Sequence, residues 1–349
     1  MSPRPRVARF GRGAEIRPPN SFERLRSEPD PQVPMESGPP TVFHKDRSRS
    51  ILSFSNDSNT PYQTMMNPYR GCEHGCVYCY ARPYHERLGF SAGLDFECKI
   101  VVKENAPRLL REALSSPRWK PRPIMLSSAT DCYQPAERRW RLTRGCLEVF
   151  AETKNPVSII TKNFLVTRDI DLLRDLARRK AAEVTLSLTT LDEDLARILE
   201  PRASRPSQRL AAIEALAKAG IPTGILIAPV LPSLTDHEMP KILQAAADAG
   251  ARFAGYDMLR LPGAVRAIFE HWLEVQFPDR KAKVLHRLET ESCVGERRAG
   301  GGIFSKMVDG LFEAGRRKVG LSNRGPELSI ASFHRPSGNQ LDLNLRAEE

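Results

Sequence analysis

The sequence has no apolar run approaching the ~20 residues needed to cross a bilayer, and its opening, MSPRPRVARFGRG, lacks the apolar core of a secretory signal. A soluble, cytosolic chain without membrane contact is expected. Cysteine is also scarce, 7 in 349 residues, and an odd count at that density excludes a disulfide-stapled secreted domain. Acidic residues are outnumbered, 42 Asp and Glu against 53 Lys and Arg, which leaves a formal net charge of +11. What is present suffices to fold. With 40% hydrophobic residues the chain can bury a substantial core, so a wholly disordered polymer is excluded.

Residues 1–50 are rich in Arg, Pro, Ser and Gly, show no sustained apolar period and are interrupted by PPN, PDPQVP and GPP. That composition predicts a disordered basic N-terminal arm. Short apolar runs then alternate with segments of helical period. The runs fall at 62–67, 124–128, 157–161, 184–188, 224–228 and 253–258, and the helical stretches at 106–115, 142–153, 170–179, 208–219 and 237–249. This cadence predicts βα units around a parallel sheet. Six strands are too few for a closed eight-stranded barrel, so the expected fold is α/β, a partial (βα)6 TIM-like barrel over 51–262. From 263 to 349 the chain reads as a helical, basic C-terminal extension. Its Gly300–Gly302 triplet lacks the Lys-Ser/Thr of a P-loop and reads as a flexible loop.

The informative segment is Asn67-Pro-Tyr-Arg-Gly-Cys72-Glu-His-Gly-Cys76-Val-Tyr-Cys79-Tyr-Ala, a C-x3-C-x2-C directly after the first expected strand. Chance would place that spacing in a chain of this composition about 0.003 times. Three thiolates on one glycine-containing loop suit zinc or an iron–sulfur cluster. Structural zinc wants a fourth ligand, and only His74, cramped between two of the cysteines, is at hand. A four-iron cluster on three cysteines instead leaves one iron open for a ligand that is not protein.

On these residues the segment resembles the cluster loop of the radical SAM superfamily. CVYCYA, SSATDCYQP, SIITKN and TLSLTT are similar to the DNA-repair-photolyase-like branch that contains spore photoproduct lyase. The resemblance implies a [4Fe-4S] cluster on Cys72, Cys76 and Cys79. It also implies S-adenosylmethionine as cofactor, reductively cleaved to methionine and a 5′-deoxyadenosyl radical that abstracts substrate hydrogen. It places Tyr78 beside adenine and Tyr80 near the bound cofactor. Thr130 and Asp131 match a Ser-Asp pair that contacts the cofactor, Lys162 its carboxylate, and Ser187 its methionyl or ribose part. The implied electron donor is a flavodoxin or ferredoxin.

One departure concerns the substrate. Where the spore enzyme has a hydrogen-donating cysteine two residues before its Ser-Asp pair, this chain has Ser128, whose O–H bond is too strong for that step. Cys132 is the candidate thiol at a shifted position. The basic balance and Arg138, Arg139, Arg141 and Arg144 suit a nucleic-acid substrate. The competing reading is a non-enzymatic iron–sulfur or zinc module that stabilises a nucleic-acid-binding protein.

Overall fold

The computed structural model describes residues 11–16, 18, 20, 22, 39–55, 62–292 and 303–336. The rest of the expected arm and the Gly300–Gly302 triplet lie outside the described residues. In chain order the strands are β1 (Val42–Lys45), β2 (Leu52–Phe54), β3 (Thr64–Met66), β4 (Tyr69–Arg70) and β5 (Lys99–Val102). They continue as β6 (Ile124–Leu126), β7 (Val157–Thr161), β8 (Ala182–Ser187), β9 (Thr223–Val230) and β10 (Phe253–Met258).

The main sheet runs β10-β9-β8-β7-β6-β3-β2. Its six strands from β3 to β10 are mutually parallel, with Thr64 opposite Ile124, Ile124 opposite Val157 and Val157 opposite Ala182, and β2 pairs antiparallel at the edge. This is the expected open six-stranded βα arrangement. Each expected strand overlaps an observed one, because a strand covered on both faces reads as a nearly continuous apolar run. All six residues of β8 are buried. One of them is Glu183, whose carboxylate accepts from Tyr62 Oη at 2.8 Å and Ser158 Oγ at 2.9 Å.

Helices Ala106–Ser115, Leu142–Thr153, Ile170–Arg178, Pro206–Lys218 and Met239–Asp248 connect the strands. Each turns an apolar stripe to the sheet, for example Leu173 and Leu176, since helical spacing puts positions three and four apart on one face. Helices Val265–Gln276, Pro278–Ser292 and Ile303–Lys318 follow. The last is tied to β10 by a hydrogen bond between Tyr256 and Asp309. Among the described residues no helix is long and apolar enough to cross a membrane.

The structure corrects the disordered arm in part. A second sheet, β1-β5-β4, takes Val42–Lys45 from within it, in parallel register with Lys99–Val102. Arg12 and Ala14 are buried. Composition missed this because these residues have no apolar period of their own and are held by backbone and charged partners supplied by the barrel.

Candidate functional site

In a parallel sheet the loops after the strands share one face, and that face collects the reactive groups. Here β3 leads through β4 into the cysteine loop. Gly71 opens it at φ +77°, and a Cβ there would stand 2.9 Å from Phe96 O and 3.0 Å from His85 Cε1, so only glycine fits. Cys72 N–H donates to Phe96 O at 2.9 Å and Val77 N–H to Leu199 O at 3.0 Å, which fastens both ends of the loop to the body. Arg82 is fully buried and donates to Cys76 O from Nε at 3.1 Å and Nη2 at 2.8 Å.

Cys72 and Cys76 are buried and Cys79 is partly exposed. Burial pushes all three thiols up; their mutual repulsion adds to this at Cys72 and Cys76, while Arg82 and Lys162 oppose it at Cys79. Thiolates in such a place need cationic charge among them, which is what iron ligation supplies. Among the described residues no three His, Cys, Asp or Glu side chains close on a single ion position. His74 does not complete a zinc site. Its Nε2 lies 3.1 Å from Asn163 Nδ2 and its Nδ1 3.4 Å from Asp131 Oδ2, so both ring nitrogens have partners.

Asp131 is fully occupied by the protein. Its Oδ1 accepts from Thr161 Oγ1 and Tyr133 N–H, both at 2.8 Å, and its Oδ2 from Lys162 N–H at 2.7 Å as well as facing His74. Thr130 is buried, and its Oγ1 donates to Tyr69 O at 2.8 Å. The pair sequence reasoning assigned to cofactor contact therefore ties the ends of β6 and β7 to the cysteine loop. Ser127 starts this turn at φ +81°, its Oγ donating to Thr130 O and accepting from Cys132 N–H.

Lys162 and Ser187 do come together, Nζ to Oγ at 2.8 Å. The same ammonium donates to Ala228 O at 2.9 Å and pairs with Glu200 Oε1 at 3.0 Å, and it lies 5.7 Å from the centre of the Tyr78 ring. Tyr78 Oη donates to Glu200 Oε1 and lies 3.1 Å from Thr189 Oγ1. Arg209 closes the far side, donating to Glu200 Oε2 and to Ser187 O. Burial alone would raise the Glu200 carboxyl; Arg209 and then Lys162 overcome it and hold it well below the usual carboxylate range. Glu200 thus lies between two cations, Arg209 in the interior and Lys162 toward the sheet's C-terminal face, with the Asp131 carboxylate on the Lys162 backbone N–H beside them.

Sequence reasoning missed Glu200 and Arg209. The available signal was weak: Glu200 ends a helical turn before Pro201, and Arg209 sits where a helix would carry a solvated charge. Tyr80 is 51% exposed and donates to Ser128 O at the open side of the loop. Ser128 Oγ accepts from Asn67 Nδ2 at 3.0 Å.

The expected shifted thiol does not reach this face. Cys132 has no exposure and joins the apolar core; its carbonyl accepts from Thr143 Oγ1, on the helix that covers the sheet. A hydrogen donor must touch the substrate radical, and a core thiol cannot. The other described cysteines outside the loop, Cys98 and Cys146, are buried too.

At the second sheet lies a cleft of about 430 Å³ whose walls include Lys45, Arg47, Arg49 and Arg108 together with Asp46 and Glu112, the last paired with Arg108. Arg70, two residues before Cys72, joins cleft to loop by donating to Asp46 Oδ2 at 2.8 Å and Ser48 Oγ at 2.9 Å.

Comparison with known proteins gives a consistent picture. The profile of the Radical SAM superfamily matches residues 66–246. An uncharacterized protein of Mycobacterium tuberculosis is 38% identical over 241 residues, covering 68% of this chain and 71% of its own. The radical SAM Nalpha-GlyT isomerase of Pseudomonas phage M6 is 29% identical over 175 residues, 50% of this chain and 34% of its own. Among solved structures, spore photoproduct lyase superposes with a TM-score of 0.58 at 16% identity, covering 81% of each chain. At that identity the likeness establishes a shared fold.

Proposed function

The chain belongs to the radical SAM superfamily, and on that premise we propose that it is an enzyme performing radical chemistry on nucleic acid, with Cys72, Cys76 and Cys79 as its three cluster ligands. The superfamily's cofactors are a [4Fe-4S] cluster and S-adenosylmethionine. When bound, they supply a 5′-deoxyadenosyl radical by one-electron cleavage of the sulfonium.

The observation that carries the reading is the juxtaposition of three thiols on one fastened loop with the Lys162–Glu200–Arg209 charge cluster. Lys162, whose three donors are already spread over Ser187, Ala228 and Glu200, offers its ammonium to the cofactor carboxylate, and Ser187 exchanges its bond to Lys162 for one to the ligand. Tyr78, anchored through its hydroxyl, presents a fixed ring face to adenine. Tyr80 flanks the cofactor from the open side. Thr130 and Asp131 keep the loop registered on β6 and β7. Fixing these groups before the ligand arrives removes a reorganisation cost from the reacting geometry.

Three things support a nucleic-acid substrate: the net charge of +11, the cleft that carries Arg47 and Arg49, and one similar protein. That protein, spore photoproduct lyase, was solved with bound AdoMet and dinucleoside spore photoproduct. Serine at 128 and the burial of Cys132 argue against a cysteine-terminated repair of the spore-enzyme kind. A flavodoxin- or ferredoxin-type protein is the proposed electron donor.

The test is anaerobic reconstitution with iron and sulfide. The expected result is a brown protein whose reduced-cluster EPR signal changes on adding S-adenosylmethionine, which forms 5′-deoxyadenosine under dithionite and loses both properties in Cys76→Ala. A colourless zinc protein, or a cluster indifferent to S-adenosylmethionine, would overturn the enzyme reading. Oligonucleotides incubated with the active protein, digested and analysed by mass spectrometry, should yield a nucleoside of altered mass; an unchanged nucleoside profile across DNA and RNA substrates would remove the substrate assignment.

A further inference from the structure

The cysteine loop is backed by a segment sixty residues upstream of it. Gly13 lies directly against Gly75, the residue before Cys76: a Cβ at position 13 would stand 1.7 Å from Gly75 O, which no side chain survives. Gly75 itself holds φ +70°, and a Cβ there would come within 2.9 Å of Glu97 Oε2. Glu97, fully buried, is the knot between the two. Its Oε2 accepts from Gly13 N–H at 2.9 Å, and its Oε1 from Ala14 N–H at 2.8 Å and Arg82 Nη2 at 2.6 Å. Arg82 in turn holds the Cys76 carbonyl.

Arg12 locks the same segment from its other side. Its Nη1 donates to Glu97 O at 2.7 Å, and its Nη2 to Pro39 O at 3.0 Å and Thr41 Oγ1 at 3.2 Å. Thr41 Oγ1 donates to Glu73 Oε1 at 2.7 Å, and Glu73 is the residue after Cys72. Farther along, Asn20 Nδ2 donates to Phe90 O at 3.2 Å, beyond the last cysteine. The upstream segment therefore contacts the loop directly at Gly75, reaches Glu73 through Thr41, and holds the loop's support at Glu97.

We propose that residues 11–16 are a strap belonging to the cluster site, in which Arg12 and Gly13 are positioning residues that hold the turn from Cys72 to Cys76. The proposal rests on the reading that these cysteines bind an iron–sulfur cluster. Its physical basis is the state of Glu97. Without the strap, Glu97 loses the Gly13 and Ala14 N–H donors and water takes their place, while the turn at Gly75 loses the backbone packed directly against it. That turn leads directly into Cys76 and so sets where its sulfur stands. Coupling of this kind is reciprocal: whatever strap docking does for cluster affinity, the cluster does for strap docking.

The experiment uses the full chain, reconstituted anaerobically, and compares wild type with Gly13→Val and Arg12→Ala. Expected are slower iron uptake, release of iron to a chelator about tenfold faster, on the scale of one lost charge-assisted hydrogen bond, and an altered reduced-cluster EPR line shape. Release at the wild-type rate from both variants with an unchanged line shape would overturn the proposal.

Hydrogen exchange on the wild type, with and without cluster, tests the coupling without any variant. The amides of Gly13 and Ala14 should gain protection together with residues 72–79 on cluster loading. Unchanged exchange at 13 and 14 while the loop becomes protected would also overturn it. A wild-type chain that takes up no iron would instead overturn the cluster reading, so the two failures are distinct.

Discussion

Glu200→Gln removes the one negative charge between Arg209 and Lys162 while nearly preserving shape. In the native chain that carboxylate is 1% exposed, as is Arg209, and Lys162 is 15% exposed. The substitution leaves two cations facing each other across a buried amide. Breaking a buried ion pair by removing one partner costs roughly 3–5 kcal/mol, because the remaining charge stays desolvated. The glutamine oxygen can keep one bond, from Tyr78 or Thr189, so the lower end is expected. At a urea dependence of about 3 kcal/mol per molar, the cost corresponds to a midpoint lowered by roughly 1–1.5 M.

The acid dependence carries the sharper sign. Glu200 has a folded-state pKa held below its unfolded value by Arg209 and Lys162 against the opposing effect of burial. Its contribution is therefore fully present above the unfolded value near 4.5 and is lost as pH falls from there through the depressed folded value. Equilibrium urea unfolding of the cluster-free chain under reductant, from pH 7 to pH 3, should show wild type and variant separated by a constant gap down to about pH 5 and converging below it. A gap that is absent at pH 7, or that stays constant to pH 3, refutes the assignment of Glu200 as the ionised centre of this cluster.

Three further outcomes follow from the same geometry. Lys162→Met, which keeps the apolar stem and deletes the charge, should weaken S-adenosylmethionine binding about 10- to 100-fold, the scale of a charge-assisted hydrogen bond; titration of the reduced-cluster EPR change measures it, and unchanged affinity refutes the carboxylate role. Arg47→Glu with Arg49→Glu should weaken nucleic-acid binding across sequences and reduce the slope of log affinity against log salt by about 2, as read by fluorescence anisotropy; an unaltered slope removes the cleft from the interface. Cys132→Ala should cost about 1–3 kcal/mol in urea unfolding from the lost core packing while 5′-deoxyadenosine and product form as in wild type; loss of product with 5′-deoxyadenosine retained would restore Cys132 as hydrogen donor.

Legibility in the sequence follows the kind of signal each element leaves. The six parallel strands were readable because burial on both faces forces apolar runs such as Val157–Ser158-Ile-Ile-Thr161, and the helices because one buried stripe forces a period. The cysteine loop was readable because ligand spacing is a covalent constraint written in consecutive residues. Lys162 and Ser187 could be placed because both sit at or near the ends of readable strands, so topology alone brings them to one face. Cys132 was misplaced by the same logic. It too follows a strand, but side-chain direction in a tight turn is not fixed by its distance from the strand end, and only the full burial of Cys132 in the apolar core shows that this one faces inward.

The site's charged supports follow another rule. Glu97 and Glu200 are both buried carboxylates, each matched to a buried arginine, Arg82 and Arg209. Each pair sits on one flank of the cysteine loop: Arg82 grips the Cys76 carbonyl, and Glu200 receives the hydroxyl of Tyr78. In sequence such residues are indistinguishable from solvated surface charges, since the partner that makes burial tolerable lies 15 residues away in one case and 9 in the other and follows no period. Burial of this kind is costly, and hydrophobic replacements of similar shape are often no less stable. The arrangement is therefore better explained by what the charges hold in place than by net stability. A loop whose glycines adopt left-handed conformations has little intrinsic preference for one geometry. Two arginine–carboxylate pairs, with directional hydrogen bonds at fixed distances, supply the geometric definition that the loop lacks, and residues 11–16 extend that definition to a segment that composition alone assigned to a disordered arm.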